Sequence, residues 1–371
     1  MRERINWLDM LHPTELEHNT CLLEKQRKNH QRKLNKPGSN CLSRKGQTTS
    51  SEKSKMTTSK ATGPLGLSME ESIPLLTILT IIGVTSIATN LLIVGIICKN
   101  SQRRKNYDIF ILHSSFVDLV TAVIVLPFWI LSAVHGQVDF AGNIYCQISA
   151  TVSLIDLVAP AIFLSLVAAC RHCAIVDRKA FPRIFSEGRS RLIVMFVWFL
   201  VLLISIPPHF SWQISTEVLC LPDLISNSWY TTTVLAFCLI LPLSAGFYSH
   251  IDDIFLFQRR RMKRNDTVKR CCARVPLRGT ELSEQKTLFG ILIIHTFCWL
   301  PYIVVAIAQT FNGGKVLYTG KLPVHFISLV VGLTGIALKA IVLCFEVPHL
   351  KKLIRKQFGC IGREENPSQD V

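Results

Sequence analysis

The stretch AACRHC, residues 168–173, ends a long apolar run with an arginine that has no carboxylate beside it. The run covers residues 144–170, which exceeds the roughly 20 apolar residues that cross a bilayer as a helix. Cys146 lies near its start, 25 residues before Arg171. At about 1.5 Å per residue that separation is about 37 Å of helix. The run therefore predicts a membrane-spanning helix with Cys146 at one interface and the Arg171 guanidinium at the other.

The composition of the whole chain agrees with a membrane protein. Apolar residues make up 49% of the 371 residues, and the mean hydropathy is +0.35. Connections between the apolar runs are mostly about 8 to 30 residues long, which leaves no room for a second folded domain. We therefore predict an all-α membrane protein, a bundle of seven transmembrane helices. The candidate spans are 73–98, 107–131, 144–170, 192–212, 230–256, 287–310 and 324–346.

The net charge of +16 reports topology rather than nucleic-acid binding. Basic residues concentrate in the connections after the first, third and fifth spans and after the seventh, whereas the other connections contain few. By the positive-inside rule the basic connections are cytoplasmic, so a multi-pass plasma-membrane protein with an extracellular N-terminus is expected. The basic cluster 259–261 suits lipid headgroups or an acidic partner surface.

The two ends of the chain have different compositions. Residues 1–72 are polar and basic with few large apolar residues, so a disordered extracellular tail is predicted before the bundle at 73–346. Translation from Met56 or Met69 is an alternative start. Residues 347–371 begin with apolar and basic residues at helical spacing, which predicts a short amphipathic eighth helix on the cytoplasmic leaflet, followed by a short tail. Cys360, just beyond this pattern, is a palmitoylation candidate.

The cysteines divide by compartment. Cys146 and Cys220 fall on the predicted outer side, where oxidising conditions allow a disulfide. Cysteines near the predicted inner side should stay reduced. No C-x-x-C pair is matched by a second pair or by spaced histidines, so neither a metal nor a cofactor is expected.

Several landmarks fall in a fixed order along the spans. They are Asn90, Asp118, Trp198, Pro242, the motif FCWLPY at 297–302 and LKKLIRKQF at 350–358. With Cys146 and Arg171, this set resembles the rhodopsin-like (class A) G-protein-coupled receptors over about residues 73–360, without identifying a subfamily. The resemblance implies a receptor rather than an enzyme, with an extracellular ligand and with a heterotrimeric G protein and arrestin as partners. Asn90 is then expected to form hydrogen bonds between helices, and Trp198 to pack between them.

The residues around Arg171 at the predicted cytoplasmic side depart from the family pattern. In the family an acid precedes the arginine and a glutamate at the foot of span six also restrains it; here the neighbour is Cys170, and Glu281 matches the distant partner. We expect the loss of one restraint to raise basal signalling. His250 replaces a usual tyrosine, and Lys339 stands where the Asn-Pro-x-x-Tyr motif should begin. A non-coupling or decoy receptor is therefore an alternative.

Charged residues inside a bilayer are costly and indicate function. Asp118 and Asp156 lie within spans two and three. The acid matching Asp118 binds sodium in many family members, and Lys339 could pair with it as an internal cation. The alternative is that Lys339, about 10 Å from the end of its span, extends to the cytoplasmic interface. A proton or ion transporter using these residues and His295 is the rival from another class.

The outer half of the bundle is the expected ligand site. Ser153 stands where receptors for amines have an aspartate, so a simple amine is disfavoured. Plausible wall residues are Phe237, Trp299, Tyr302 and Gln309. Few charges are expected there, which favours an apolar or peptide-like ligand.

Overall fold

The computed structural model describes residues 69–100, 105–135, 142–207, 228–268, 279–311, 318–319 and 322–361. The predicted tail up to residue 68 and Cys220 lie outside these ranges. Within them, seven helices are long and apolar enough to cross a membrane, which confirms the predicted all-α seven-helix architecture. The helices are α1 Met69–Lys99, α2 Asp108–His135, α3 Gly142–Val176, α4 Glu187–Ser205, α5 in three segments (Ser228–Thr233, Val234–Ile240 and Leu241–Val268), α6 Gly279–Phe311 and α7 Val324–Glu346.

Helix ends differ from the apolar runs because helices continue past the hydrocarbon core. α3 extends to Val176, so Arg171 lies inside the helix and not at its end. α5 reaches Val268, well beyond its apolar run, and α6 begins at Gly279. These polar extensions carry charged side chains of three helices to one end of the bundle. We call this the Arg171 end, and the opposite one the Cys146 end.

The fourth span is shifted from its predicted position. The apolar run predicts 192–212, but α4 starts at Glu187 and ends at Ser205. Ser186 takes an extended conformation immediately before the helix, and Glu187 provides a negative charge in the first turn. Acidic residues near a helix N-terminus are stabilised by the helix dipole, which favours the earlier start.

The middle segment of α5, Val234–Ile240, is a π-helix. A π-helix adds residues to each turn, so it changes which side chains face the bundle. In this segment Val234, Leu235, Cys238 and Leu239 are buried. The segment therefore resets the helical face just before Pro242.

α3 is the central helix of the bundle: more of it is buried than of any other described span, and it packs against α2, α4, α5 and α6. α7 packs against α1 and α6. The core is built from large apolar side chains such as Phe110, Trp129, Phe163 and Phe326. Apolar residues on the outer face of α4 are exposed, as expected for lipid contact, for example Phe196 and Phe199.

Three smaller elements complete the described structure. A four-residue helix, Phe181–Ile184, lies between α3 and α4. Strands β1 Tyr318–Thr319 and β2 Leu322–Pro323 form an antiparallel pair between α6 and α7. Helix α8, Pro348–Ile361, follows α7 directly. Leu350 and Leu353 of α8 are buried, and α8 packs against α1 and α7. This is the predicted amphipathic eighth helix.

Candidate functional site: a charged network at the Arg171 end

Arg171 lies at the centre of a network that joins α3 to α6. Its Nε donates to Oε1 of Gln285 at 2.5 Å, and its Nη1 lies 3.4 Å from Oε1 of Glu284. The guanidinium also lies over the Tyr107 ring, 5.3 Å from the centroid. The Arg171 side chain is only 10% exposed, so these contacts replace water around the charge. Ionic hydrogen bonds of this kind are stronger than neutral ones.

Glu284 connects the same network to the start of α2. The Nζ of Lys105 lies 2.6 Å and 2.7 Å from its two carboxylate oxygens, and the Tyr107 hydroxyl donates to Oε1. Glu284 is buried while Lys105 is partly exposed. One carboxylate on α6 therefore receives Lys105, Tyr107 and Arg171 from two other elements.

Gln285 extends the network to α5. Its Nε2 donates to Oδ2 of Asp253 at 2.9 Å and lies 2.8 Å from Nδ1 of His250. The other oxygen of Asp253 lies 2.9 Å from Nδ1 of His172, the residue after Arg171. Asp253 is fully buried, and its carboxylate thereby joins α3, α5 and α6. No acidic residue is next to Arg171 in the sequence. In the structure, the side-chain amide of Gln285 links the Asp253 carboxylate to Arg171.

The acidic partner of Arg171 differs from the sequence interpretation. The side chain of Glu281 lies outside the described residues, and the acid that the structure places beside Arg171 is Glu284, three residues later. Counting along an ideal helix fixes the height of a residue but not its rotation relative to Arg171. His250 does enter the network, as a neighbour of Gln285. Cys170 is buried and contributes a thiol where the family has an acid.

Gln285, Glu284 and Asp253 are functional-site residues that were not predicted from the sequence. The sequence carries a signal for each, because Glu284 and Gln285 lie just before the sixth predicted span and Asp253 is an acid inside the fifth. The apolar run of span six begins at residue 287, after the first two, and the apolar pattern of span five does not show that Asp253 is buried. A scan for polar residues one turn beyond each apolar run would have found the two on α6.

A second charged cluster lies deeper in the bundle. The Nζ of Lys339 on α7 lies 2.9 Å from Oδ1 of Asp118 on α2, and each side chain is only 2% exposed. The ammonium is also 3.5 Å from Nδ1 of His295 on α6. This geometry fits the prediction that Lys339 pairs with Asp118. The alternative prediction would place the Lys339 ammonium at the cytoplasmic interface.

Asp156 on α3 is the remaining charge of this cluster. It is fully buried, and Asp118, Thr121 and Lys339 are its polar neighbours. Neither carboxylate oxygen has a hydrogen-bond partner within the part of the chain that the structure describes. The cluster therefore holds two buried carboxylates near one ammonium, which lies in hydrogen-bond contact with Asp118.

At the Cys146 end, Cys146 is disulfide-bonded, while Cys220 lies outside the described residues. Ser153 is buried, and its hydroxyl donates to the Ser149 carbonyl oxygen at 2.8 Å. Trp299 and Tyr302 pack edge to face with ring centroids 5.9 Å apart. Trp299 lies tightly against Gly332, where an added Cβ would come within 3.0 to 3.2 Å of the indole.

One predicted wall residue is misplaced. Phe237 is 67% exposed on the outside of the bundle, because the π-helical segment of α5 turns it away from α3. Gln309 is buried on α6, as a wall position requires. Its Nε2 and the indole Nε1 of Trp129 have no hydrogen-bond partner among the described residues. Among the described residues, these two buried N–H groups are therefore available to donate hydrogen bonds to acceptor atoms of a ligand.

Two landmark residues form local contacts. Asn90 does not donate between helices as expected, because its Nδ2 donates to the carbonyl and hydroxyl oxygens of Ser86, one turn earlier in α1. Trp198 donates to Nδ1 of His113 at 3.2 Å and packs against Phe163, so it joins α2, α3 and α4. Cys360 lies in the last turn of α8, and its side chain is outside the described set.

Comparisons with known proteins agree with this architecture. The chain is 25% identical over 237 residues to a melatonin receptor type 1C of Gallus gallus, covering 63% of this chain and 66% of that protein. It is 24% identical to a melatonin receptor type 1B of Mus musculus, covering 60% of each. The chain thus spans less than two thirds of the length of these relatives. Residues 89–333, about two thirds of the chain, match the family of seven-transmembrane receptors of the rhodopsin type. With seven apolar helices and a polar network around Arg171, the chain belongs to the rhodopsin family of seven-transmembrane receptors.

Proposed function

We propose that the chain is a plasma-membrane receptor that transmits the binding of an extracellular ligand to heterotrimeric G proteins. The observation that carries this proposal is the network around Arg171, which joins α3, α5, α6 and the segment just before α2 at one end of the bundle. A ligand acts by shifting the population between two arrangements of the helices. An arrangement in which α6 separates from α3 must break the contacts of Arg171 with Gln285 and Glu284.

The Arg171 end is the cytoplasmic side in this proposal. In the sequence, basic connections follow α1, α3 and α5, and the positive-inside rule assigns such connections to the cytoplasm. The N-terminus is then extracellular, and the Cys146–Cys220 disulfide forms in the oxidising exterior. Arrestin and the G protein would approach the same inner surface, and α8 would lie on the inner leaflet.

The ligand site lies at the Cys146 end. Ser153, in the position that carries an aspartate in receptors for amines, is buried and hydrogen-bonded within its own helix, so it offers no charge for a ligand ammonium. Trp299 and Tyr302 provide aromatic surface, while Trp129 and Gln309 provide buried donors. We expect an apolar or peptide-like ligand with hydrogen-bond acceptors. Melatonin is the first compound to test, because the relatives are named for it.

The test of coupling is nucleotide exchange on purified G proteins of each class, with membranes that contain the intact chain. We expect basal exchange above that of membranes without the chain, because no acid adjoins Arg171. Cys170→Asp supplies that acid and should lower basal exchange, whereas Cys98→Asp, an exposed cysteine on α1, should not. Absence of exchange with every G-protein class, both basally and with melatonin or tissue extract, would refute coupling.

A second candidate is a receptor that does not couple. It is favoured by the ion pair between Lys339 and Asp118, which ties α7 to α2 through two buried side chains. An ion pair in a buried setting is costly to break, so it could hold one arrangement of the bundle. Ligand binding without G-protein or arrestin recruitment by the wild-type chain would favour this candidate, and restored recruitment in a Lys339→Asn variant would identify the ion pair as its cause.

A further inference from the structure

A cavity of about 360 Å³ lies beneath Arg171 at the same end of the bundle. Its volume falls within the roughly 300 to 1,000 Å³ typical of small-molecule sites. Residues from α3, α5 and α6 contribute to its lining, together with residues from the segment just before α2 and from the segment between α3 and α4. The polar side chains among them include Lys105, Tyr107, Arg171, Arg178 and Glu284.

The charges that line this cavity are unequal. Lys105, Arg171 and Arg178 supply three positive charges, and Glu284 supplies one negative charge. Glu284 already receives Lys105, Tyr107 and Arg171, so its carboxylate is shared. Arg178 is exposed and forms no ion pair with any residue of the described ranges. Over these four lining residues the net charge is therefore +2.

We propose that this cavity is a binding site for a phosphate-bearing anion, a ligand additional to the extracellular one. A phosphate group carries about −1.5 to −2 at neutral pH, which matches the excess, whereas one carboxylate carries only −1. Arginine binds phosphate with two parallel hydrogen bonds, and lysine adds a compact charge. Lys105 is partly exposed and Arg178 is exposed, and they lie on different segments, before α2 and after α3. Their charged groups can therefore contact a ligand from two sides.

The position of the cavity determines the effect of such a ligand. In the arrangement described here, contacts of Arg171 join α3 to α6. An anion bound between Lys105, Arg171 and Arg178 would form additional contacts in that same arrangement. It therefore stabilises the arrangement described here, and it competes with any partner that needs Arg171. The site does not depend on G-protein coupling, because binding can be measured on the receptor alone.

The test is thermal unfolding of the purified full-length receptor in nanodiscs of neutral lipid. Soluble inositol trisphosphate is added in one arm, and phosphatidylinositol bisphosphate is built into the disc in the other. We expect a saturable rise in melting temperature in at least one arm. Saturation with the soluble compound identifies a free phosphate ligand, and a rise only with the lipid identifies a headgroup. Either result supports the site, provided that the cavity variants weaken it.

The variants are Lys105→Gln and Arg178→Gln, with Arg189→Gln as the matched control. Arg189 is an exposed arginine at the start of α4 that does not line the cavity. Each cavity variant should bind the phosphate compound about tenfold more weakly, the size expected for one lost ionic hydrogen bond. Arg178 is exposed, so its substitution should leave the unliganded melting temperature unchanged. No rise in either arm, or an equal loss in Arg189→Gln, would overturn the proposal.

Discussion

Replacing Lys339 with methionine tests the buried ion pair between α7 and α2. Methionine keeps the volume of the stem but removes the ammonium, which lies 2.9 Å from Oδ1 of Asp118. Asp118 and Asp156 are then left as two buried carboxylates without a cation. Removing one partner of a buried ion pair costs about 3 to 5 kcal/mol. For a chain of 371 residues, with an unfolding entropy of about 2.1 cal/mol/K per residue, that corresponds to a fall in Tm of roughly 4 to 6 °C.

The two partners of this ion pair should not be equivalent. Asp118→Asn removes one of two carboxylates, and Lys339 keeps Asp156 as a neighbouring acid. We therefore expect Asp118→Asn to lower the Tm less than Lys339→Met does. The double variant should be more stable than Lys339→Met alone, because only one buried carboxylate remains. This order follows from counting charges in the cluster and does not require a ligand.

The assay is unfolding of the purified receptor in detergent, followed by a thiol-reactive dye that labels buried cysteines such as Cys170 and Cys344 as they become exposed. Lys352→Met, an exposed position on α8, is the matched control. Sodium chloride and choline chloride should give the wild type the same Tm, because the ammonium occupies the cation position beside Asp118. Lys339→Met should gain stability in sodium. The reasoning would be refuted if Lys339→Met had the same Tm as the control, or if Asp118→Asn lowered the Tm more than Lys339→Met does.

Two further substitutions test other contacts. Gln285→Leu removes the hydrogen bond to Arg171, about 1.5 to 3 kcal/mol for a charged group, so basal nucleotide exchange should rise roughly tenfold or more; unchanged exchange at equal surface expression would contradict this. Gly332→Ala places a Cβ within 3.0 to 3.2 Å of the Trp299 ring, and should cost about 1 to 3 kcal/mol of unfolding free energy by overpacking. Gly290→Ala is its control, because an added Cβ there would meet nothing within 4 Å. If thermal unfolding showed an equal loss of stability in both variants, the tight contact between Gly332 and Trp299 would be contradicted.

The sequence alone determined the seven spans and the position of Arg171 at one end of the third. Both follow from local properties: the length of an apolar run sets whether a helix can cross a bilayer, and 1.5 Å per residue sets the separation of Cys146 and Arg171. The amphipathic spacing of α8 is local in the same way. The landmark residues also indicated the receptor family, because their order along the spans can be read from the sequence.

Tertiary structure alone decided which side chains meet. Glu284 rather than the expected Glu281 lies beside Arg171, because the rotation of α6 about its axis is set by packing against its neighbours. Phe237 turned outward because a π-helical segment in α5 shifts the face of that helix. Lys339 and Asp118 are 221 residues apart, and only the packing of the bundle brings α7 beside α2. A sequence fixes how far along a helix a residue lies, whereas contacts between helices depend on rotations that no local pattern specifies.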